Sequence, residues 1–73
     1  MERDEVIDLH ARHRGLQALL HARGNVPWQV FEDAATRTWH VERGTVRTQA
    51  SDEASALEAA ISRNAAILAE QEE

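Results

Sequence analysis

The 73-residue chain has no cysteine and no lysine, a single proline, and only three aromatic residues: Trp28, Phe31 and Trp39. Without cysteine, neither a disulfide framework nor a thiolate metal site can form. All 8 basic residues are arginine, set against 13 acids, for a formal net charge of −5. That balance argues against generic binding to a phosphate backbone. No apolar run approaches the length of a membrane span, and no signal-peptide core follows Met1. A cytoplasmic protein is therefore expected, in the host-cell cytoplasm if the chain is phage-encoded. There is no glycine-rich phosphate loop, no nucleophile elbow and no thiol nucleophile.

What is present centres on the tryptophans. Trp28-Gln29-Val30 recurs eleven positions later as Trp39-His40-Val41. Each copy alternates apolar and polar residues, the period of a strand buried on one face. Thr45-Val46-Arg47-Thr48 continues the alternation more weakly. A turn at Arg43-Gly44 would place Val41 opposite Val46. A turn centred on Ala34-Ala35 would place Val30 opposite Trp39 and Trp28 opposite Val41. Both registers put Trp28, Val30, Trp39, Val41 and Val46 on one inner face. Gly44 can supply the positive φ of a tight hairpin, whereas Ala34-Ala35 is poor turn chemistry, so a looser loop is the alternative there. The segment 28–49 is read as a three-stranded antiparallel meander.

Helices are expected on either side. Over 4–23, Val6, Leu9, His13, Leu16 and Leu20 share a stripe, with Asp4 as N-cap and Gly24 past the end. Over 51–69, Ala54, Leu57, Ile61, Ala65 and Leu68 share another, with Ser51 as N-cap and Asn64 inside the stripe. Residues 70–73 place acids at a helix C-terminus, where they oppose the dipole, so a frayed tail is expected. The whole chain, 1–73, reads as one small α+β domain. Its order is α-β-β-β-α, a two-layer sandwich with both helices on one face of the sheet.

Candidate chemistry is sparse. His10 and His13 are three apart, as two ligands on one helix could be, but no third ligand accompanies them. No metal or cofactor is expected. The acid pairs Asp4-Glu5, Glu32-Asp33, Asp52-Glu53 and Glu72-Glu73 sit at element ends, as caps, turn residues or solubilising charge. Asn64 is read as reaching the rim of the core, the alternative being a polar residue that fixes helix register. Ala56, Ala60 and Ile67 flank the second stripe and are assigned to contact with the first helix, the alternative being a dimer face.

The outer sheet face carries Gln29, Phe31, Thr38, His40, Glu42, Thr45 and Arg47. In the register above, His40 falls between Gln29 and Arg47, and Phe31 lies beside Thr38. An exposed aromatic beside His and Arg is typical of interfaces. Gln29, Phe31, His40 and Arg47 are thus the candidate partner-binding residues of a non-enzymatic, acidic binding or regulatory module. Such a module could be an adaptor, an inhibitor or a phage or mobile-element accessory protein. Its partner would be another protein or a second copy of itself. A purely structural homo-oligomer and a nucleic-acid binder using the outer face are the alternatives. The element order is similar to that of double-stranded RNA-binding domains. The second helix, however, begins Ser51-Asp52-Glu53, where that family presents a lysine cluster.

Overall fold

A computed structural model describes residues 3–71 of the chain. It contains α1 (Arg3–Ala22), β1 (Gln29–Asp33), β2 (Thr38–Arg43), β3 (Val46–Ala50) and α2 (Glu53–Gln71). The strands form one antiparallel sheet in the order β1-β2-β3. Three antiparallel strands return the chain to the end where α1 began, so α2 runs parallel to α1. Side-chain contacts follow this direction. His10 of α1 meets Glu53 at the start of α2, and Arg23 just past α1 reaches the carbonyl of Leu68 near the end of α2. The helices pack together and against the sheet. α2 approaches all three strands, and α1 joins the same core through Leu16 and Leu20.

The helix ends follow local chemistry. Gly24 has φ +83°. Its N–H donates to the His21 carbonyl at 3.0 Å, and the Asn25 N–H donates to the Leu20 carbonyl at 2.9 Å. This is the Schellman pair that satisfies the last carbonyls of a helix. The other end differs from the sequence reading: α1 begins at Arg3, so Asp4 lies in its first turn and is not its cap. In α2 the cap is Asp52, not Ser51. The Asp52 carboxylate accepts from the Ser55 N–H at 2.8 Å and from the Ser55 hydroxyl at 3.0 Å. These bonds hold its pKa below the usual carboxylate value. α2 continues through Gln71, past the expected end at Ala69. The expectation for Glu72 and Glu73 lies outside the described residues.

Two contiguous clusters make the core. Leu20, Trp28, Val41, Ala56, Ala60 and Leu68 form one, with Trp39, Val30 and Ala50 packed against it. Leu9, Ala54, Leu57 and Ile61 form the other, bordered by Val6, Leu16 and Val30. Both tryptophans thus face the helices, Trp28 buried and Trp39 half-buried. Ala56 and Ala60 meet the first helix, as expected, and the sheet as well: their small side chains share one cluster with Leu20 of α1, Trp28 and Val41, and Ile67 packs against it.

The strand faces match the alternation, but the neighbours do not. Val30 pairs with Val41 and Glu32 with Trp39, while Val41 pairs with Thr48 and Trp39 with Ala50. Both hairpins are shifted by two residues from the sequence reading. The second turn is Gly44-Thr45, flanked by the Arg43–Val46 pair. Gly44 has φ +59° and Thr45 is not in the left-handed region, the pattern of a type II′ turn. The first turn spans residues 34–37. It is opened by an Asx turn, Ala35 N–H to Asp33 Oδ1 at 3.0 Å, and closed by Arg37 at φ +55°. Val46 keeps the inner-face parity but is 46% exposed. It sits at the turn end of β3, away from where α2 begins, so it is not core.

Candidate interaction surface

Both helices lie on the inner face, which leaves the outer face of the sheet uncovered. Phe31 pairs directly with His40 across β1 and β2. Their rings stack, with centroids 5.4 Å apart and planes inclined by 16°. The stack is asymmetric in exposure. Phe31 is 41% exposed, whereas the His40 side chain, on the central strand, is only 13% exposed. On one side the Asp33 carboxylate lies 4.0 Å from His40 Nε2. On the other, Gln49 of β3 stands opposite His40.

Arg47 occupies a different row. It pairs with Glu42, which in turn pairs with Gln29. The Arg47 guanidinium donates to Glu42 Oε1 at 2.5 Å, with the arginine side chain 61% exposed. The surface therefore brings together Phe31 and His40 as one unit and Gln29, Glu42 and Arg47 as an adjoining one. His40 does not sit between Gln29 and Arg47, and Phe31 is not beside Thr38. The two-residue shift in both hairpins moved each outer residue one place along its strand pair. The Arg47 guanidinium is held by the Glu42 carboxylate on its own sheet.

The remaining candidates are accounted for by internal contacts. His10 hydrogen-bonds Glu53 through Nε2. His13 is buried between the helices, and the Gln17 amide donates to its Nδ1 at 2.7 Å. Burial, and then the nearby charge of His10, lower the His13 pKa. Among the described residues no three His, Asp or Glu side chains gather as metal ligands would. Asn64 is wholly buried rather than at the rim, and neither of its amide atoms has a hydrogen-bond partner among the described residues. Two linkages escaped the sequence reading. One is His10–Glu53, between residues whose proximity only the parallel helix pairing produces. The other is the hydrogen bond from the Arg43 guanidinium to Asn25 Oδ1, which ties β2 to the loop after α1.

No known protein family, curated protein or solved structure matches this chain. No helix among the described residues is long and apolar enough to cross a membrane.

Proposed function

We propose that this chain is a small protein-binding module whose docking surface is the outer sheet face, centred on Phe31 and His40. The observation that carries this reading is the stacked pair itself. It lies on a sheet face that neither helix covers, with the apolar ring outward and the imidazole beneath it. A fixed aromatic anchor ringed by polar groups is what interface hot spots are built from. Around the pair stand Asp33, Thr38, Gln29, Gln49 and the Glu42–Arg47 ion pair. Arg47 is neutralised by Glu42, and Asp33 adds a negative charge. This face suits an apolar or basic protein segment. The nucleic-acid alternative draws no support from it, since the one cation there is engaged by a carboxylate.

Phe31→Ala is the test. The substitution should cost only about 1 kcal/mol of stability, the worth of one aromatic pair on a partly exposed site. The protein should stay folded, with its tryptophan fluorescence unchanged. Used as bait in a nuclease-treated lysate of the source organism, wild type should retain a protein partner that the variant loses. Recovery that needs intact nucleic acid would move the reading to the alternative. Equal recovery by wild type and variant would remove Phe31 from the site.

A further inference from the structure

We infer that β3 is a pairing edge for a second copy of this chain, joined antiparallel about Thr48 to give a continuous six-stranded sheet. The surface is distinct from the Phe31 face and does not depend on it. The argument begins with the two edges of the sheet. The order β1-β2-β3 leaves both β1 and β3 without an outer neighbour. Proteins usually protect such edges with proline, charge or inward-pointing acids. β1 has these: Pro27 precedes it, Glu32 has inner-face parity, and Asp33 ends it. β3, reading Val46-Arg47-Thr48-Gln49-Ala50, has none of them beyond Arg47, which Glu42 neutralises.

The register of self-pairing follows from the hairpin. Residues flanking a two-residue turn exchange both backbone hydrogen bonds, and the exchange then alternates along an antiparallel pair. Arg43–Val46 is that flanking pair. Val46, Thr48 and Ala50 therefore direct their backbone groups at β2, and Arg47 and Gln49 direct theirs outward. An antiparallel partner centred on Thr48 sets Arg47 opposite the partner copy's Gln49, so outward groups meet outward groups. The full length of β3 overlaps, with Val46 opposite Ala50. No like charges face each other.

β1 lacks this self-complementarity. Centred on Phe31, it would set Val30 against Glu32 and Gln29 against Asp33.

In the paired sheet Thr48 faces its own copy in a non-hydrogen-bonded pair, where side chains approach most closely. One further feature lies on the β3 edge. Val46 faces inward yet is left uncovered by its own helices. Opposite the partner's Ala50, it comes beside the start of the partner's α2, which begins three residues after Ala50.

The test uses the full chain and sedimentation equilibrium across a wide concentration range, with circular dichroism to confirm folding. Wild type should dimerise. Gln49→Arg opposes two arginines across each half of the interface and should weaken dimerisation by about tenfold, while Gln49→Glu should strengthen it by a similar factor. Gln49→Pro removes an outward N–H that β2 does not use and should abolish the dimer. If that variant unfolds, the Arg and Glu pair still decides. A monomer at every concentration would overturn the inference. So would a dimer indifferent to all three substitutions, and one lost on Phe31→Ala would instead place self-association on the outer face.

Discussion

Asn64 lies fully buried on the apolar stripe of α2, one turn from both Ala60 and Leu68, with both polar atoms of its amide unpaired among the described residues. A buried polar group without a partner costs about 1–3 kcal/mol. Asn64→Leu should therefore stabilise the protein by about 1–2 kcal/mol, raising Tm by roughly 5–10 °C for a domain of this size. Thermal melts followed by circular dichroism decide it. A lower Tm for the variant would show that the amide is bonded in solution. Trp28 presents a milder version, with its indole Nε1 buried and unpaired among the described residues, since its large apolar body outweighs one unmet donor.

At the scale of elements, most of the fold was legible because alternation and helical spacing report faces. All five elements are present in the expected order, with ends that differ by one or two residues. The strand faces survived an error in both hairpins because the error was two residues, and side-chain direction repeats every two. What period cannot report is which residue stands opposite which. That depends on turn chemistry, and the first turn carries a misleading signal. Its left-handed position is filled by Arg37 at φ +55°, where a glycine or asparagine would have announced the turn. The outer face is legible from the alternation but the order of residues along it is not, so the pairing of Arg47 with Glu42 is visible only in the structure. The same residue supplies a test. The left-handed region costs a non-glycine residue about 1–2 kcal/mol. Arg37→Gly should recover part of this, about 0.5–1 kcal/mol after the added freedom of the unfolded chain is deducted. Urea unfolding of the two proteins would show it as a higher midpoint at unchanged slope. A lower midpoint would mean that the Arg37 side chain contributes more than its backbone costs.

For the molecule as a whole, the Cα envelope is a slab 38 × 28 × 15 Å, and so thin a body has little interior to spare for ionisable groups. His13 is one such group, 3% exposed in the layer between the helices. Its pKa is lowered first by burial and then by His10, whose ring in turn faces Glu53 at the start of α2. The sign of the consequence is fixed by linkage. The unfolded chain takes up a proton on this imidazole near pH 6.5, whereas the folded chain resists it until lower pH. Stability from this group is complete above about pH 6.5 and declines as the pH falls from there toward the folded pKa. Asp52 adds a second, more acidic loss. Its pKa is lowered by the Ser55 hydrogen bonds, so its contribution holds above the ordinary carboxylate value of 3.8 and disappears below it. Melting curves between pH 7.5 and 3 should show Tm falling in two steps, one beginning near pH 6.5 and one below about pH 4. His13→Gln should remove the first step and leave the second, and Asp52→Asn should do the reverse. A wild-type Tm that stays level from pH 7.5 to 5 would mean that protonated His13 is accommodated where it stands, and that the layer between the helices is wetter than its packing implies.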